Sequence, residues 1–92
     1  MKKSSCLGTF TNTGLVTDAP CGLSNAVFFA SADDTEMILW DNAEAEYGYK
    51  LLHIYIDTGS FSFTPAKPKS CQNGIWLELV KGTGGVTIDT EP

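Results

Sequence analysis

The sequence predicts an all-β protein, a single-domain antiparallel β-sandwich or flattened barrel of about seven short strands. Glycine and proline recur along the chain, with nine and four copies, and leave few segments long enough for a regular helix. Between them lie short runs rich in valine, isoleucine, phenylalanine and tryptophan, which are residues that favour strands. This combination of short apolar runs and frequent turn residues is typical of sandwiches and barrels.

The individual strands follow from the apolar runs and from the alternation of side chains within them. The predicted strands are Thr9–Val16, Leu23–Ala30, Glu36–Trp40, Tyr49–Asp57, Phe61–Phe63, Ile75–Lys81 and Val86–Asp89. The alternation predicts that the inward-facing residues include Leu52, Ile54, Ile56, Ile75, Leu77, Leu79, Val86 and Ile88.

The chain length predicts one domain over residues 1–92, with residues 1–8 as a flexible N-terminal arm. A domain of this size buries only roughly 60–65% of the surface that its unfolded chain exposes. Its core is therefore thin, and association with another chain is a common way for such a domain to gain stability.

Charge and hydropathy exclude two classes of partner. The net charge is −5, and all six cations are lysines, so the chain lacks the clustered basic residues that nucleic acids and anionic membranes require. No stretch approaches the roughly 20 apolar residues of a membrane span. Lys2 and Lys3 are typical of a signal peptide, but polar residues interrupt the apolar segment that should follow. We therefore expect a protein that stays in the cytoplasm where it is made.

No pattern of residues predicts catalysis, and we expect neither a metal site nor a cofactor. His53 is the only histidine, and no nucleophile motif such as G-x-S-x-G accompanies it. The cysteines are too far apart for the paired ligands of a zinc site. Gly82–Gly85 lacks the lysine of a phosphate-binding loop and is predicted to be a hairpin turn.

The three cysteines, Cys6, Cys21 and Cys71, are predicted to be free thiols, and one alternative stays open. In a reducing compartment they are free thiols that behave as small apolar side chains. Alternatively, Cys21 pairs with Cys71 and closes a long loop.

The strands around Ile54 and Leu77 are apolar on both faces. The face opposite the predicted core carries Tyr49, Leu51, His53, Tyr55 and Trp76. A small antiparallel sheet in water normally turns polar residues outward, so this face is covered either by the protein's own loops or by another chain. Tyrosine and tryptophan are favoured at protein interfaces, and these five residues form the predicted interface.

The order of several short motifs resembles a family of small structural proteins of tailed bacteriophages. The matching pieces are APCGL at 19–23, AVFF at 26–29, ILWDN at 38–42, GYKLL at 48–52, NGIWL at 73–77 and GVTI at 85–88. Together they span nearly the whole chain, and the Trp-Asp-Asn piece is the most specific.

The resemblance implies a component of the virion that is assembled in the host cytoplasm. It implies foremost a capsid decoration or cement protein, with other copies of itself and the major capsid protein, or another virion protein, as partners. A tail or neck component is the near alternative. A carbohydrate- or receptor-binding module is the alternative from another class, with Trp40, Tyr55 or Trp76 as its aromatic platform.

Overall fold

Two antiparallel sheets pack face to face in the computed structural model, which describes residues 5–91. The nine strands are β1 (Ser5–Phe10), β2 (Gly14–Thr17), β3 (Cys21–Ala30), β4 (Thr35–Asp41), β5 (Tyr49–Ile56), β6 (Gly59–Phe63), β7 (Lys69–Cys71), β8 (Ile75–Lys81) and β9 (Gly84–Glu91). The prediction of an all-β sandwich is confirmed.

The chain passes repeatedly from one sheet to the other. A five-stranded sheet has the order β1-β9-β3-β6, and β7 also pairs with β3. A four-stranded sheet has the order β2-β8-β4-β5. Only β4 and β5 are consecutive in the chain and neighbours in one sheet, so nearly all of the pairing joins distant segments.

The core lies between the sheets, and both contribute to it. Phe28, Val86 and Ile88 come from the five-stranded sheet, and Leu39 and Leu77 come from the four-stranded sheet. All eight residues that the alternation predicts to face inward are buried in this core or pack against it. That part of the prediction is confirmed.

The strand prediction is wrong at the N-terminus. The segment Thr9–Val16 forms parts of two strands, β1 and β2, which belong to different sheets. Residues 11–13 carry the chain across the sandwich, and apolar alternation cannot show such a corner because the pattern is similar on both sides. Of the predicted arm at residues 1–8, residues 5–8 lie in β1 and pair with β9, whereas residues 1–4 lie outside the described residues.

Two further details differ from the expectation. The strand β7 was not predicted, because its three residues Lys69–Cys71 are too few to show alternation. The segment Gly82–Gly85 is not a hairpin turn, since β8 and β9 belong to different sheets. A Cβ atom on Gly82 would collide with the side chain and the Cα atom of Thr35, so a side chain there would disrupt this crossing.

Candidate binding face

The outward surface of the four-stranded sheet carries large apolar side chains on neighbouring strands. Register partners in an antiparallel sheet point to the same side, and the pairs Leu15–Trp76, Trp76–Trp40 and Ile38–His53 therefore share one face. We call this surface the aromatic face and define it by Leu15, Glu36, Ile38, Trp40, Lys50, His53, Tyr55, Trp76 and Glu78.

The polar groups at the centre of the aromatic face bind one another. The indole Nε1 of Trp40 donates a hydrogen bond of 2.9 Å to Oε1 of Glu78 on the neighbouring strand. The Lys50 ammonium group lies 5.3 Å from the centroid of the Trp40 ring, within the range of a cation–π contact. Trp40 is thus held in place by a carboxylate on one side and a cation on the other.

A second polar group lies at the β5 edge of the same face. A ring nitrogen of His53 lies 2.6 Å from Oε2 of Glu36, and the His53 and Tyr55 rings are 4.9 Å apart between centroids. The hydrogen bond with His53 is the main cause that lowers the pKa of Glu36. Glu36 also accepts a hydrogen bond from Tyr55, which raises the pKa of that phenol. The ring of Tyr55 nevertheless stays 62% exposed.

The indole N–H of Trp76 differs from that of Trp40. It is buried, and it has no hydrogen-bond acceptor among the described residues. A buried donor without a partner costs about 1–3 kcal/mol.

Three of the five predicted interface residues lie on the aromatic face: His53, Tyr55 and Trp76. Leu51 does not, and its assignment is wrong, because its side chain is 4% exposed and belongs to the core. The register between β4 and β5 shifts at this point, with Leu39 opposite Leu52 and Trp40 opposite Lys50. Leu51 is the extra residue of this β-bulge, which interrupts the alternation on which the prediction relied.

Tyr49 is separated from the aromatic face by the same bulge. Its register partner is Asp41, a buried carboxylate that accepts hydrogen bonds from the backbone amides of Gln72 and Asn73. The Tyr49 ring is exposed, and the Lys69 ammonium lies 5.7 Å from its centroid. Tyr49 therefore belongs to the end of the sandwich near β7.

The sequence-based prediction of the interface did not include the outward-facing residues of β4. Glu36, Ile38 and Trp40 alternate with the core residues Met37 and Leu39, and this period of two was visible in the sequence. The prediction used the alternation of β5 and β8 alone. Applying it to β4 would have placed these three residues on the outward side.

Within residues 5–91, no three histidine, cysteine, aspartate or glutamate side chains are grouped so that they could hold a metal ion. The same residues include no helix that is long and apolar enough to cross a membrane. Comparisons with protein-family models, with curated proteins and with solved structures each found no match. The assignment of a function therefore rests on the motifs in the sequence and on the aromatic face.

Proposed function

We propose that the protein is a non-enzymatic structural component of a bacteriophage particle, a capsid decoration protein that docks through its aromatic face. The observation that supports docking is the row of large side chains Leu15, Trp76 and Trp40 across three strands of this outward surface. The outward surface of the other sheet carries Val27 and Phe29 among serine and threonine side chains. The bacteriophage assignment is supported by the order of the sequence motifs alone.

The aromatic face suits contact with protein. Tyr55 is 62% and Leu15 is 45% exposed, so a partner would remove apolar surface from water. Glu36 and Glu78 already have hydrogen-bond partners within the face, so covering them leaves no unpaired carboxylate.

The charges on the face favour a second copy of the chain as one of its partners. The chain as a whole has a net charge of −5, which opposes self-association. The face itself carries Glu36 and Glu78 together with Lys50, and Lys81 is the register partner of Glu36. Because both signs are present there, two copies approach through this face with less repulsion than through the rest of the surface.

A carbohydrate-binding module is the second candidate. The supporting observation is that Trp40 and Trp76 are direct register partners on adjacent strands, as the two halves of an aromatic platform would be. The hydrogen bond from Trp40 to Glu78 weighs against it, because that carboxylate is already engaged and less free to bind sugar hydroxyls.

The test compares two exposed tyrosines. Tyr55 on the aromatic face and Tyr47 in the loop before β5 are 62% and 61% exposed, so Tyr47→Ser is a matched control for Tyr55→Ser. We expect the wild-type chain to self-associate in light scattering and to co-sediment with capsids that lack it. Tyr55→Ser should weaken association by about tenfold or more, as loss of an interface aromatic does, whereas Tyr47→Ser should not change it.

A wild-type monomer that does not bind capsids would contradict the proposal. Saturable binding of glycans by that monomer, lost in Trp40→Ala, would support the carbohydrate-binding alternative.

A further inference from the structure

Cys21 on β3 and Cys71 on β7 face each other, and they support an inference that does not depend on the aromatic face. Cys21 and Cys71 are register partners, so their side chains point to the same side of the sheet. Directly opposed residues of an antiparallel pair have Cα atoms about 4.5–5.5 Å apart, which is within the range that a disulfide spans. Both residues are free thiols in this structure.

We propose that Cys21 and Cys71 form a redox-dependent crosslink, with free thiols in a reducing compartment and an intramolecular disulfide in an oxidising one. The crosslink fastens the shortest strand of the five-stranded sheet. Within residues 5–91, β7 has three residues and pairs with β3 alone, whereas β3 is also paired with β6 and β9.

The surroundings of the pair hold the two sulfurs together. Cys71 belongs to the core, Cys21 packs against it, and the Cys71 thiol donates a hydrogen bond of 3.4 Å to the carbonyl of Lys69. Immediately after Cys71, the amides of Gln72 and Asn73 donate to the Asp41 carboxylate of the other sheet. Pairing with β3 holds the backbone of Cys71, and the contacts with Asp41 hold the two residues that follow it. Because Cys21 and Cys71 are register partners, the two sulfurs can meet without a large movement of the backbone.

The oxidation is a thiol–disulfide exchange with a small-molecule disulfide. The Cys21 thiolate attacks one sulfur of the small disulfide and expels the other as a thiolate. The Cys71 sulfur then attacks the Cys21 sulfur, forms the intramolecular bond and expels the second thiolate. The two cysteine protons pass to the two expelled thiolates, so the cysteine pair loses two electrons and the small disulfide becomes two thiols.

Accessibility and acidity indicate which cysteine reacts first. Cys71 is 1% exposed, and burial raises its pKa to about 12. Burial also raises the pKa of the half-buried Cys21. Cys21 is the more accessible of the two, and its raised pKa makes the reaction slow at neutral pH. The rate should rise about tenfold per pH unit until the pKa of Cys21 is reached.

The test uses the full chain with Cys6→Ser, because Cys6 is exposed and would otherwise crosslink two chains. After equilibration with oxidised glutathione, titration of the unfolded chain should find no thiols, and peptide mapping should join Cys21 to Cys71. The disulfide closes a loop of about 50 residues, so the thermal midpoint should rise by about 10 °C or more.

The control is the double variant Cys6→Ser/Cys21→Ala, whose remaining thiol should persist as a thiol or as a glutathione adduct, without a gain in thermal midpoint. Two thiols that still titrate in the Cys6→Ser chain after oxidation, or a disulfide that lowers the midpoint, would overturn the proposal.

Discussion

The outward faces of the two sheets differ in the side chains that they carry. On the five-stranded sheet, Thr9 and Thr87 bond through their hydroxyls at 2.9 Å, and Asn25 bonds to Asp89 and Thr64. We call this surface the polar face. This surface also carries the side chains of Val27 and Phe29. On the outward side of the four-stranded sheet, the indole rings of Trp40 and Trp76 and the imidazole of His53 lie on neighbouring strands. A sheet needs only one apolar side to form a sandwich, so the exposed Leu15 and Tyr55 of the aromatic face add apolar surface beyond the core.

The two faces also differ in what their polar groups do. On the polar face, hydroxyl and amide groups hydrogen-bond to one another and to a carboxylate. On the aromatic face, the carboxylates of Glu78 and Glu36 form hydrogen bonds with ring nitrogens of Trp40 and His53. These carboxylates therefore fix the positions of the two rings. The difference indicates that the aromatic face is organised locally before any partner binds.

The largest expected effect is a difference in the loss of stability between substitutions of two central residues, one on each face. Ile38 lies at the centre of the aromatic face on β4, and Val27 lies at the centre of the polar face on β3. Ile38 is only 5% exposed, whereas Val27 is half-buried. Ile38→Ala should lower the free energy of unfolding by about 2–3 kcal/mol and Val27→Ala by about 1 kcal/mol or less, as measured by urea denaturation. Equal losses would mean that the two faces are packed alike.

A smaller effect concerns the hydrogen bonds on each face. Trp40→Phe removes the donor to the Glu78 carboxylate and should cost about 1–2 kcal/mol, since the bond is charge-assisted and partly buried. Thr9→Val removes an exposed hydroxyl pair and should change stability by less than about 0.5 kcal/mol. A double-mutant cycle with Glu78→Ala separates the hydrogen bond from the lost ring volume. A coupling energy near zero would show that Glu78 does not stabilise Trp40.

The smallest expected effect is a pH dependence of stability that arises from the His53–Glu36 contact at the edge of the aromatic face. The hydrogen bond from His53 lowers the pKa of Glu36 in the folded protein, so this contact contributes stability above the ordinary pKa of glutamate. That contribution is lost as the pH falls through the lowered pKa. Glu36→Gln should therefore flatten the acid side of the stability profile, followed by thermal unfolding between about pH 5 and pH 2.

Part of the loss of stability at acid pH should remain in the Glu36→Gln variant. Hydrogen bonds from the backbone and the hydroxyl of Thr58 lower the pKa of Asp33, and Glu36→Gln does not touch them. A profile that Glu36→Gln leaves unchanged would show that the His53–Glu36 contact does not contribute to stability.

Local residue patterns predicted the face only where the strands are regular. His53 and Tyr55 were assigned correctly to the outward side because they follow the bulge, and Trp76 because β8 alternates regularly as far as Glu78. Leu51 and Tyr49 were misplaced because a single extra residue reverses the alternation. The unbonded indole of Trp76 had no signal in the sequence, because the position of an acceptor depends on the packing of neighbouring strands.

The sequence by itself determined the all-β class and the inward-facing residues of the regular strands, because strand propensity and alternation are local properties of the chain. It also predicted three free thiols, with a Cys21–Cys71 pair as the alternative. Only the tertiary structure decided that these two residues are register partners, that residues 11–13 cross between the sheets and that the bulge lies at Leu51. The physical reason is that these features depend on which strands become neighbours. Most neighbours here are distant in the chain, and their pairing is selected by the packing of the whole sandwich.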